Sequence, residues 1–129
     1  MRKLSEYILV VDDQFSVRLF IQNALEQFGY EVKAVASGSE CLCLATSLHR
    51  PSLILLDQNM PGMTGLQVLA QMAQDDQAKT IPVIMISGEE DIEASARSLG
   101  VCEILSKPLD LDHFLKTVRA TLEKETAKS

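Results

Sequence analysis

The apolar positions of this chain change their period repeatedly. The run YILVV (7–11) is short and β-rich, too brief for a helix. Over 15–28, Val17, Ile21, Leu25 and Phe28 recur at helical spacing, and Gly29 follows where a helix commonly ends. EVKAVA (31–36) alternates like a strand. SGSE (37–40) places Ser37 three residues before Glu40, a capping-box signature, and Cys41, Leu44, Ala45 and Leu48 then mark a second helix face. LILLD (53–57) is a continuous apolar run closed by an aspartate, and MPGMTG (60–65) is turn chemistry. A third helix over about 65–74 buries Leu66, Leu69 and Met72, and DDQAKT (75–80) reads as a polar loop. IPVIMIS (81–87) is another apolar strand, with Pro82 tolerable at its start. DIEASARSLG (91–100) is a short helix ended by Gly100, and EILS (103–106) is the fifth strand. The last helix buries Leu111, Phe114, Leu115, Val118 and Leu122, and the terminal TAKS is expected to fray.

Five strands thus alternate with five helices. Several strands are apolar on both faces, which calls for a parallel sheet covered by helices on both sides. The connections are too short for a second domain. The expectation is one α/β, doubly wound domain over 1–129, with its core at about 3–122 and a short tail at 123–129.

Composition narrows the function. A net charge of −6 disfavours direct nucleic-acid binding, which needs Lys and Arg against phosphates. No apolar run approaches the roughly 20 residues of a membrane helix. The N-terminal apolar stretch is short and ends in two aspartates, so it reads as a buried strand rather than a signal peptide, and the expected compartment is the cytoplasm. The three cysteines, Cys41, Cys43 and Cys102, are an odd count for a disulfide framework and are read as packed or idle thiols.

In an open parallel sheet, ligands bind beyond the carboxyl ends of the strands. The first strand ends in Asp12 and Asp13, the third in Asp57, the fourth in Ser87, and the fifth is followed by Lys107 and Pro108. Carboxylates held close repel, and either a proton or a cation relieves them. A small hard cation suits them, since Mg²⁺ favours oxygen ligands and keeps several waters. Asp57 beside such an ion is able to attack a phosphoryl group. Lys107 would add a second positive charge and Ser87 a hydrogen bond to a phosphoryl oxygen. Each residue alone has a simpler reading. Asp12 or Asp13 caps the first helix, Ser87 caps the helix after it, Lys107 is a solvated charge, and Asp57 precedes a turn. Their joint occurrence at four strand ends is what favours a site.

These residues resemble the receiver domain of two-component response regulators, from about Lys3 to Leu122, in the pair Asp12-Asp13, in Asp57 within DQNMPGMTG, in Ser87 after PVIMI, and in Lys107-Pro108. The resemblance implies a flavodoxin-like fold with strand order 2-1-3-4-5. It implies that Asp57 accepts phosphate from a histidine kinase or a histidine phosphotransfer protein. It implies Mg²⁺ (with Mn²⁺ as an alternative) held by Asp12 or Asp13, by Asp57 and by the carbonyl of Asn59. Lys107 and Ser87 would contact the phosphoryl group, and the peptide before Pro108 would be cis. Phosphorylation would draw Ser87 inward and re-form the surface of the fourth helix, fifth strand and fifth helix, where a downstream protein docks. Asn59 and Glu89 resemble the residues that set phosphoryl lifetime in single-domain chemotaxis regulators, although two solvated loop groups is an equally good reading.

One departure stands out. The family's usual Tyr or Phe lies three residues before the lysine, and this chain has Ile104. With no ring to swing, output is expected to be weaker or carried by backbone shifts around SGEED (87–91). The sequence stops soon after the last helix, which fits a stand-alone regulator and equally a receiver cut from a larger protein. Three rival readings remain. A scaffold that is never phosphorylated would suit Ile104. A phosphatase with an aspartate nucleophile usually carries it on the first strand beneath a cap. A flavin carrier would need a phosphate cradle where DDQFS stands.

Overall fold

The computed structural model describes residues 6–89 and 91–127. Its elements are β1 (Ile8–Val11), α1 (Phe15–Gln27), β2 (Val32–Val35), α2 (Gly38–Ala45), β3 (Leu53–Asp57), α3 (Gly65–Met72), β4 (Val83–Ser87), α4 (Glu93–Ser98), β5 (Glu103–Ser106) and α5 (Leu111–Ala127). All pairings are parallel, in the order β2-β1-β3-β4-β5. The doubly wound order expected from the sequence is therefore the one observed.

Strand alternation explains why the central strands are apolar throughout. Successive side chains point to opposite faces, and here both faces are covered. Leu9, Val11, Ile54, Leu56, Val83 and Met85 pack with Cys41 and Ala45 of α2, Val68, Leu69 and Met72 of α3, and Ala96 of α4. Ile8, Val10, Leu53, Leu55, Ile84 and Ile86 pack with Ile21 and Leu25 of α1 and Phe114 and Val118 of α5. The edge strand β2 is half-buried. Its Val32 and Ala34 lean to the α1–α5 side and its Val35 to the other.

Three helix-face expectations fail at helix termini, two of them because the helix ends sooner than the apolar period. Phe28 is 66% exposed because α1 stops at Gln27, and Leu48 is 92% exposed because α2 stops at Ala45. Leu111, the first residue of α5, is 38% exposed. Leu66, Leu115 and Leu122 pack at the margins of the two cores. The stretch read as a polar loop at 75–80 contains a 3-10 turn, Ala78–Thr80, with Ala78 buried. Asp75 closes that turn by accepting from the N–H groups of Gln77 and Ala78. α5 continues through Thr126 and Ala127, and Lys128 and Ser129 lie outside the described residues. Cys41 is packed as expected, and burial pushes its thiol up to about 12, which leaves it unreactive. No helix among the described residues is long and apolar enough to cross a membrane.

Candidate functional site

The sheet register brings the acidic residues together. Val11 of β1 is level with Leu56 of β3, so the next residues along, Asp12 and Asp57, emerge side by side. On the other side Asp57 is level with Ile86, one residue before Ser87, and Ser87 is level with Ser106, one before Lys107. Carboxylate oxygens of Asp12, Asp13 and Asp57 all lie within 4.8 Å of one another. Asp12 and Asp57 are 3% and 2% exposed, while Asp13 faces solvent.

Lys107 answers this charge in part. Its Nζ lies 2.7 Å from Asp57 Oδ1 and 3.9 Å from Asp12 Oδ2. Close as the ammonium is, Asp57 Oδ1 has no partner among the described residues aligned with it for a hydrogen bond. Three carboxylates so close together carry more negative charge than the one ammonium offsets. Oxygen ligands of this kind fit Mg²⁺.

The strain of the cluster shows in Asp12. Burial raises its pKa, the N–H of Gln14 and the Lys107 charge lower it, and Asp57 and Asp13 raise it further. Burial is the largest of these effects and the net direction is upward. The folded state thus holds the Asp12 proton more tightly than the unfolded chain. The stability this contributes is present below the ordinary carboxylate pKa and is lost as pH rises through the raised value. In chelator, Asp12→Asn is expected to gain stability relative to the parent protein across that window. Thermal melts of both proteins from mildly acidic to neutral pH measure this, and a difference independent of pH refutes it.

Local bonds explain how each side chain is held. Asp12 Oδ1 accepts from the N–H of Gln14 at 2.9 Å, so it braces the turn into α1, and Gln14 rather than an aspartate occupies the N-cap position. Arg18, not singled out from the sequence, donates from Nη1 to the Asp12 carbonyl at 2.7 Å and lies over the Phe15 ring. Phe15 is 67% exposed beside the acid pair. Ser87 is buried, and its Oγ accepts from the N–H of Glu89 at 2.9 Å. It does not cap α4, which begins at Glu93. The Ser87 carbonyl accepts from the N–H of Lys107 at 3.0 Å, tying β4 to the lysine. Asn59 and Glu89 are both exposed at this end of the sheet. Ile104 is half-buried and packs into the core on the α2–α3–α4 side. The Lys107–Pro108 peptide is cis. Of the SGEED segment, Glu90 lies outside the described residues.

The loop after Asp57 was only partly legible. Thr64 and Gln67 form a reciprocal capping box at the start of α3, a spacing visible in the sequence though not singled out there. Gly62 bends the chain at φ +82°, a conformation that favours glycine. Gly65 is needed for a different reason. A Cβ there would meet the Asp57 carbonyl oxygen at 2.8 Å and Gln58 Cα at 3.0 Å. Both are backbone atoms that have no room to yield. Gly65→Ala is expected to destabilise by about 1–3 kcal/mol through overpacking, because the helix-propensity gain of at most about 1 kcal/mol is smaller than the clash. Urea denaturation tests it, and equal or higher stability overturns the close-packing argument.

Comparison with known proteins agrees with this geometry. Residues 8–119 match the family model described as the response regulator receiver domain. The chain is 32% identical over 119 residues to sporulation initiation phosphotransferase F of Bacillus subtilis, covering 92% of this chain and 95% of that protein. Among solved structures, the chemotaxis response regulator CheY4 of Vibrio cholerae superposes with a TM-score of 0.81 at 30% identity, over 92% of this chain and 98% of its own. The response regulator protein TrrA of Thermotoga maritima, determined in complex with Mg²⁺-BeF, gives a TM-score of 0.78 at 27% identity, over 89% and 97%.

Proposed function

As the chain belongs to the response regulator receiver domain family, we propose that it works by accepting a phosphoryl group on Asp57 from a phosphohistidine on a histidine kinase or phosphotransfer protein. The observation that carries this reading is the placement of Asp57: buried at the end of β3, within 4.8 Å of two other carboxylates, and 2.7 Å from the Lys107 ammonium. A carboxylate needing only a structural cap has no use for that company.

In the proposed transfer an Asp57 oxygen forms a bond to phosphorus as the phosphorus–nitrogen bond of the donor breaks. The electron pair leaves with the imidazole nitrogen. Lys107 moves from Asp57 Oδ1 toward a phosphoryl oxygen, so its charge follows the new anion. Ser87, whose Oγ already accepts from the N–H of Glu89, donates a hydrogen bond to another phosphoryl oxygen. Asp12, Asp13, Asp57 and the Asn59 carbonyl would hold Mg²⁺, which offsets the repulsion between carboxylate and phosphate when bound. Asn59 and Glu89, both exposed, would influence how readily water reaches the acyl phosphate.

For output, we take the α4–β5–α5 surface as the face that a downstream protein reads. α4 is short and buries only Ala96 among its own residues. Few buried contacts mean a low cost of displacement. Ile104 occupies the position of the family's usual aromatic, so displacement of α4 by a swinging ring is replaced by backbone movement following Ser87, and the response is correspondingly weaker. The proposed setting is the cytoplasm, with proteins rather than nucleic acid or membrane as partners.

The test is intact mass spectrometry after incubation with phosphoramidate, with and without Mg²⁺, followed by a phosphohistidine protein as donor. The expected result is a Mg²⁺-dependent gain of one phosphoryl group. No gain in a folded sample under any condition favours a receiver-like scaffold, the reading that Ile104 alone supports.

A further inference from the structure

The neck of the loop that follows Asp57 and carries Asn59 is closed by one residue, Gln58, which is 6% exposed. Its backbone N–H donates to the Ile86 carbonyl at 3.0 Å, joining it to β4. Its carbonyl accepts from the N–H of Gly65 at 3.0 Å. Its side chain folds back, and Oε1 accepts from the N–H of Leu66 at 2.8 Å. The opening N–H groups of a helix have no partners inside it. In α3 they are fully accounted for. Gln58 takes those of Gly65 and Leu66, Thr64 Oγ1 takes that of Gln67, and the Thr64 carbonyl takes that of Val68. Gly65 then lies against the Asp57–Gln58 peptide so closely that no Cβ fits.

We infer that Gln58 is a positioning residue for the metal and phosphoryl site, acting through the loop it closes. The inference rests on the phospho-accepting reading above. The loop from 59 to 64 leaves the sheet at Asp57 and returns at Gly65, and Gln58 ties both ends to each other and to β4. The Gln58 amide spans from the strand end to the second N–H of α3 without adding charge. An apolar side chain of the same length leaves the Leu66 N–H unpaired and the neck held by the Gly65 bond alone. Asp57 and the Asn59 carbonyl then sample more orientations, and a cation that needs both at once binds less well. Thr64 is the useful contrast, since its side chain caps the same helix through Gln67 and makes no bond to Gln58.

The experiment compares the full chain with Gln58→Met and Thr64→Ala, following backbone amide shifts by NMR while titrating Mg²⁺, and recording phosphoramidate labelling against Mg²⁺ concentration. Partners that orient metal ligands typically affect affinity by about 10–100-fold. Gln58→Met is expected to weaken Mg²⁺ binding by about tenfold, with labelling at saturating Mg²⁺ reduced much less. Thr64→Ala is expected to leave Mg²⁺ affinity near that of the parent chain. Equal weakening by both variants means that Gln58 acts only through helix stability and overturns the inference, as does unchanged affinity in Gln58→Met. Amide hydrogen exchange of the unaltered chain gives a second measure that needs no variant to fold. Mg²⁺ should slow exchange at Leu66 more than at Gln67, and no difference also overturns the inference. If the unaltered chain binds no Mg²⁺ and takes no label, the phospho-accepting reading fails instead.

Discussion

Asp57→Asn is expected to abolish the Mg²⁺-dependent gain of a phosphoryl group, down to the background of untreated protein. Asparagine keeps the shape and an oxygen for Lys107 but has no nucleophilic carboxylate. The neighbouring aspartates are poor substitutes. Asp12 Oδ1 is committed to the N–H of Gln14 at 2.9 Å, and its raised pKa marks a carboxylate whose charge is disfavoured where it sits. Asp13 is exposed, and the close contacts of the lysine are with Asp57 and Asp12. The effect is therefore a loss of the reaction rather than a slowing. Intact mass measured side by side with the parent protein decides it. Labelling of Asp57→Asn at the parental rate moves the acceptor elsewhere and removes the basis for Asp57 as nucleophile.

The second large effect concerns the scaffold. Phe114 of α5 is fully buried and is among the largest enclosed side chains in the protein. It packs in the cluster that includes Ile8, Val10, Leu53, Leu55, Ile84 and Ile86, and so bridges α5 to the central strands that carry the site. Truncation removes the transfer energy of the ring and leaves a cavity, at about 3–5 kcal/mol for Phe→Ala. Total stability of a domain this size is about 5–15 kcal/mol, so Phe114→Ala should take the protein a large part of the way to unfolding. Leu111→Ala, three residues earlier on the same apparent stripe, should cost under about 1 kcal/mol because the side chain is 38% exposed. Urea denaturation measures both, with the midpoint shifting at constant slope. Similar losses for the two variants would contradict the burial described here.

Much of this is legible in the sequence. The both-faces-apolar runs ILVV, LILLD and VIMIS demanded a parallel sheet with two covering layers, and each lies where it was expected. The gathering of these polar residues was legible because the rule they follow is local: polar residues that end strands of such a sheet share one edge. Asp12, Asp57, Ser87 and Lys107 satisfy it through strand register alone. Helix faces were less secure. Phe28 and Leu48 continue an apolar period past the point where the helix stops, and period cannot report where a helix ends.

The sequence by itself determined the architecture, the edge at which the polar groups gather, and the residues present there, because hydrophobic period and strand-end polarity are properties of neighbours along the chain. The tertiary structure alone decided three other things. It put Lys107 Nζ 2.7 Å from Asp57 rather than in solvent, left Asp13 exposed while burying Asp12, and turned the Gln58 side chain back onto α3. Each depends on distances between groups far apart in sequence or on the direction of a single side chain. Such quantities are set only when strands, loops and helices close on one another, since the same side chain in another register would meet water instead of a partner.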